Sequence, residues 1–226
     1  MPHLALVRPD GSMPVYTASA EGDAEPRLPL VLLHEAFGLN GHIESIADRL
    51  AAAGHAVVAP HLHYRQNQTA VGYDEVPRAV ELLQALTVND MVGDVEAVAA
   101  TLPGAESGFG VLGYCFGAAV AYVAAARVAR VRAAVAFYPV SIGNYWEEAG
   151  PPRVPLLTFF GADDQFLGER ELEWLAGLDA DPEVPMSVHI YPDTGHAFFN
   201  DARPDLYRAE TAADAWSRTL DFFADA

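Results

Sequence analysis

The sequence predicts an α/β protein with a mostly parallel central sheet, helices on both faces and an antiparallel edge from its N-terminus. Three observations carry this reading. Six short apolar runs recur along the chain: PLVLLH (29–34), HAVVAP (55–60), GFGVLGY (108–114), RAAVAFYP (132–139), VPLLTFF (154–160) and MSVHIYP (186–192). Each reads as a strand buried on both faces. Helical spacing separates most of them, and strands that alternate with helices pair in parallel. The opening stretch LALVRPDGSMPVYTAS instead reads as a hairpin turning at Asp10-Gly11, because Asp-Gly supplies the left-handed backbone of a tight turn.

In chain order, the hairpin is followed by the first buried run and then by HIESIADRLAAAG (42–54), whose apolar spacing of three and four ends at Gly54. The next run leads into HLHYRQNQTAVGYDEVP (61–77), the one long polar connection. Long loops at strand ends in such sheets tend to shape the site. NDMVGDVEAVAATLPG (89–104) opens on an Asn or Asp cap and stops at Pro103-Gly104. No repeat, low-complexity tract or linker interrupts the chain, so residues 1–226 are expected to form one domain.

Composition excludes several classes. With 31 acidic against 13 basic residues the formal charge is −18, and no Lys/Arg cluster could follow a phosphate backbone, so nucleic acid is not an expected partner. No apolar run is long enough to span a membrane, and MPHLALVRPDGSM lacks the order of a signal peptide. One cysteine, Cys115, makes neither an internal disulfide nor a thiolate zinc site. The expected setting is the reducing cytoplasm, and the expected assembly a monomer or small homo-oligomer.

That cysteine lies in GYCFGAAVAY (113–122), between a strand and a helix pattern. The spacing Gly113, Cys115, Gly117 is the GxCxG form of a nucleophile elbow, where the flanking glycines let strand and helix approach. A helix N-terminus favours the thiolate form, and the next amide, Phe116, points at a forming oxyanion. An α/β hydrolase sets its acid and base after the nucleophile, each beyond a later strand. VPLLTFFGADDQF puts Asp163 and Asp164 there, and MSVHIYPDTGHAFFN puts His196 there. Glu35, at the end of the first buried run, is a site candidate because a carboxylate left unpaired there is costly.

The sequence resembles the dienelactone hydrolase family of α/β hydrolases through LLHEAFGLN (32–40), VGDVEAV (92–98), VLGYCFGAA (111–119), FFGADDQF (159–166), YPDTGHAF (191–198) and SRTLDFF (217–223). The resemblance implies an α/β-hydrolase fold and a triad of Cys115, Asp164 and His196, its GxxDxF pattern favouring Asp164 over Asp163. It implies that Glu35 bonds the resting thiol and helps remove its proton, and that the amides of Ala36 and Phe116 form an oxyanion hole. The implied reaction is hydrolysis of a small-molecule ester or lactone through a thioester, with no metal or organic cofactor. Candidate substrate contacts are Phe37, Arg78, Tyr138, Phe198, Asn200 and Arg203. The family's namesake holds an anionic lactone with two arginines; here Asn200 stands near one of those positions and Arg78 is the stand-in for the other.

Other chemistries use the same residues. His61 and His63 have the i, i+2 spacing that puts two imidazoles on one strand face, and with His34 or Glu35 they could bind zinc, though spacing fixes no third ligand. Thioesterase or acyltransferase activity needs only another acyl acceptor, and a non-catalytic binder or redox sensor would use Cys115 without turnover. The aromatics of YPVSIGNYWEEAG (138–150) suit a core or pocket rim, or a contact surface.

Overall fold

The computed structural model describes residues 4–19, 27–68 and 70–226. The start of the MPHLALV segment and Thr69 of the polar connection lie outside them. Strands β1 (Leu4–Arg8) and β2 (Gly11–Ala18) form the expected hairpin, with Arg8 opposite Gly11 and Leu4 opposite Val15. β2 then pairs antiparallel with β4 (Val57–Pro60). β3 (Leu30–Leu33), β5 (Phe109–Tyr114), β6 (Val131–Phe137), β7 (Leu156–Gly161) and β8 (Met186–Tyr191) continue the sheet in parallel. The order is β1-β2-β4-β3-β5-β6-β7-β8, so the two N-terminal strands are the antiparallel edge.

Alternation along each strand divides the core. Val31, Leu33 and Val111 face one side with α2 (Val76–Gln84), α3 (Val88–Ala99), α4 (Phe116–Arg127), α5 (Ile142–Ala149) and α6 (Glu169–Asp179). Leu30, Leu32 and Leu112 face the other, against α1 (Gly41–Ala52) and α7 (Ala209–Ala224). α4 is apolar all round and buried from Phe116 to Ala126, as a helix must be when neighbours cover every face. Its alanines let it lie close to the sheet. Trp146 of α5 packs edge-on against Trp174 of α6, so these aromatics belong to the helical layer.

Three expectations are corrected. The MSVHIYP run forms a strand, but β8 is the sheet edge and is mostly half-buried or exposed, because no strand lies beyond it among the described residues. The 89–104 helix ends at Ala99, and its cap is Thr87, whose hydroxyl accepts from the Asp90 amide while Asp90 accepts from the Thr87 amide. The polar connection carries a single 3-10 turn, Tyr64–Gln66, and runs into α2, a helix the sequence reading did not separate. That turn is pinned by Arg65, which forks onto buried Asp94 of α3 at 2.7 and 2.8 Å and reaches Asp10 of the hairpin turn. Among the described residues no helix is long and apolar enough to cross a membrane.

Candidate active site

Cys115 occupies the one-residue turn between β5 and α4, with φ 53° and ψ −113°. A β-carbon at such positive φ is strained, and residues held there are fixed by their surroundings. Its amide donates to Phe137 O at 2.9 Å, and its carbonyl accepts from the Ala118 and Ala119 amides. The two glycines are needed for close approach. A β-carbon at Gly113 would collide with the Gly117 carbonyl, and one at Gly117 with the carbonyls of Leu33 and His34.

Asp164 and His196 come from the loops after β7 and β8. Asp164 is buried; one carboxylate oxygen accepts from the Phe166 amide at 2.9 Å and the other from His196 Nδ1 at 2.7 Å. Asp163 is exposed, so burial separates the two aspartates. Gly161 of that pattern lets the His196 loop settle on β7, since a β-carbon there would strike the Thr194 carbonyl. His196 Nε2 is buried without an oxygen or nitrogen partner. Burial alone would lower the imidazole's pKa, but the sulfur of Cys115 and the carboxylate of Asp164 outweigh it and push it up to about 10. The rings of Tyr138 and Phe166 close on its two sides at 4.9 and 4.8 Å.

Glu35, at the end of β3, is 2% exposed and accepts from the Tyr138 hydroxyl at 3.3 Å and from Asn200 Nδ2 at 2.7 Å. The implied bond from the resting thiol is not among its contacts. A phenol and an amide are stronger donors than S–H and occupy the carboxylate. Asn200 is therefore an inner support of Glu35 rather than an open substrate contact. It also donates to Tyr73, whose hydroxyl receives a second bond from Asn40. The Ala36 and Phe116 amides donate to no acceptor among the described residues.

The remaining candidates divide. Phe37 packs edge-on to Tyr73 at 4.8 Å, and the Arg203 guanidinium lies over both rings, 5.6 and 5.2 Å from their centres. Arg78 sits on α2, exposed, and donates to Gln68 and Glu81, which places it on the helix surface with its own partners. Phe198 is fully buried against Tyr138 and Tyr191, a core residue rather than a pocket wall. Sequence reasoning missed Tyr73 and Asn40. Spacing carries no signal for them, because crossovers bring them together.

The zinc alternative fails on donor chemistry. Both ring nitrogens of His34 are taken by backbone groups, His63 Nε2 is held by Ala36 O, and no set of three possible ligands surrounds a common point among the described residues.

A mostly parallel sheet with a strained cysteine after its central strand, followed in chain order by an acid and a histidine, defines an α/β hydrolase. The profile of the dienelactone hydrolase family matches residues 13–226, and the chain belongs to that family. It is 33% identical to the carboxymethylenebutenolidase of Pseudomonas putida, over 88% of this chain and 86% of that one. A candidate dienelactone hydrolase from Klebsiella pneumoniae superposes with TM-score 0.85 at 26% identity, covering 95% of this chain and 94% of the other. The dienelactone hydrolase-like promiscuous phosphotriesterase P91, from metagenomic libraries, shares the fold with TM-score 0.84 at 21% identity, covering 99% of this chain and 97% of the other.

Proposed function

We propose that the protein hydrolyses a small-molecule ester or lactone through a Cys115–His196–Asp164 triad and a thioester intermediate. One observation carries this reading: the sulfur of Cys115, on a strained turn, is near enough to raise the proton affinity of His196, an imidazole itself oriented at 2.7 Å by a buried carboxylate. That is the arrangement of an activated nucleophile, its base and the base's orienter.

In the proposed cycle His196, whose raised pKa leaves it protonated at neutral pH, already holds the proton, and the Cys115 sulfur attacks the substrate carbonyl carbon. The C–S bond forms as the carbonyl π pair moves onto oxygen, which the free amides of Ala36 and Phe116 stabilise. Collapse breaks the C–O bond, and His196 gives its proton to the leaving oxygen. In a lactone that oxygen stays tethered to the acyl group. Water, deprotonated by His196, then attacks the thioester carbonyl carbon, the C–S bond breaks as the acid is released, and the proton stays on His196 beside the freed Cys115 sulfur. Asp164 fixes the imidazole tautomer with its proton on Nδ1. Glu35, next to Ala36 in the chain, is held in place by Tyr138 and Asn200.

Arg203, stacked on Phe37 and Tyr73 and without an ion-pair partner among the described residues, is the cation to receive a substrate carboxylate. A single domain in the cytoplasm fits the one continuous sheet and the lone cysteine. The test is turnover of p-nitrophenyl acetate and of a small unsaturated lactone by wild type and by Cys115→Ala. Loss of turnover with the thiol is the expected result. Undiminished turnover by Cys115→Ala contradicts the proposal.

A further inference from the structure

Three buried histidines that take no part in the proposed cycle lie together beneath Ala36. His34, His61 and His63 pack edge to face, with ring centroids 5.0 to 5.8 Å apart. Their partners fix their tautomers. The Leu62 amide donates to His34 Nε2 at 2.9 Å, so the ring proton of His34 is on Nδ1, which donates to the Glu35 carbonyl. That carbonyl also accepts from the Gly38 amide at 3.2 Å. His63 Nε2 is 2.9 Å from the Ala36 carbonyl and, facing an acceptor, carries the proton. Burial keeps both rings neutral by lowering their pKa values.

In a trans peptide the C=O and N–H point in opposite directions. Holding the Glu35 carbonyl therefore sets where the Ala36 N–H points, and holding the Ala36 carbonyl fixes the next plane. A bond accepted by the carbonyl also polarises the peptide and strengthens its N–H as a donor. His63 further stacks on the ring of Phe116, at 6.3 Å and 20°.

We propose that His34 and His63 are positioning residues of the oxyanion hole, neutral imidazoles that lock the two peptide planes flanking Ala36 and aim its amide at the developing oxyanion. This rests on the acyl-transfer reading above. Neither ring touches substrate. Apolar residues of similar size would fill the space but leave the Leu62 amide and the Ala36 carbonyl without these partners.

The experiment compares wild type with His34→Phe and His63→Phe, which delete the donors. His34→Asn and His63→Gln place an amide N–H where Nδ1 and Nε2 stood. Two rates are read on each protein: turnover of p-nitrophenyl acetate, and alkylation of Cys115 by iodoacetamide, a displacement that forms no oxyanion. The Phe variants are expected to lose about 10- to 100-fold in kcat with KM nearly unchanged. Alkylation should stay at the wild-type rate, and the amide variants should recover most of kcat. If a Phe variant does not fold, His34→Leu and His63→Leu delete the same donors and are read in its place, with the same outcomes. Unchanged kcat in the Phe variants overturns it. So does a loss matched in the alkylation rate, or a loss as large in the amide variants. A wild-type protein that is alkylated but never turns over the ester removes the hydrolase reading itself, and this inference with it.

Discussion

His196 Nδ1 lies 2.7 Å from Asp164 Oδ2, and the other oxygen of Asp164 is held by the Phe166 amide. The imidazole is thus anchored through a carboxylate to the backbone of its own loop, with Nε2 left for the sulfur side. The sulfur of Cys115 and the carboxylate of Asp164 together raise the affinity of His196 for its proton in the folded state, from an ordinary 6.5 to about 10.

Asp164→Asn tests that coupling. A raised folded pKa contributes stability that is complete below about pH 6.5, declines from there to about pH 10 and is absent above it. Replacing the carboxylate removes its share, so urea midpoints measured between pH 6.5 and 10 should fall less steeply in the variant. Turnover should drop about 1,000-fold or more because the imidazole loses its orienting charge. An unchanged pH slope contradicts the assigned pairing.

Gly117→Ala should be among the most damaging small substitutions. The added methyl meets the backbone carbonyls of Leu33 and His34, which no side-chain rotation relieves. The end of β3 and the start of α4 must separate, at a cost of about 3 kcal/mol. Thermal unfolding is the check, and an unshifted melting temperature contradicts the close approach.

Asn200→Leu keeps the volume of a fully buried side chain and removes the 2.7 Å donor to Glu35. Losing a hydrogen bond to a buried charge costs about 2 kcal/mol. Denaturant unfolding should show this loss. Stability within error of wild type contradicts Asn200 as the support of Glu35.

Legibility in the sequence followed how local each signal was. The central strands announce themselves because both faces are covered, which forces continuous apolar runs such as Leu30–Leu33. β8 carries a similar run yet lies at an edge, because exposure depends on neighbours that composition does not name. Cys115, Asp164 and His196 each follow a strand on a turn and were readable in order. Phe198 and Asn200 were misplaced because closeness to His196 in sequence does not decide which way a side chain points. Tyr73, Asn40 and Asn200 form one hydrogen-bonded set, Tyr73 lying 33 residues from Asn40 and 127 from Asn200, and only the fold assembles it.

The most direct test of the account is intact mass after brief exposure to p-nitrophenyl acetate, on wild type, Cys115→Ala and His196→Ala. The account predicts an acetyl adduct on wild type that maps to Cys115 and clears with time, no adduct on Cys115→Ala, and slow formation and clearance on His196→Ala. Turnover by wild type with no adduct on Cys115, or an equal adduct on Cys115→Ala, would contradict it.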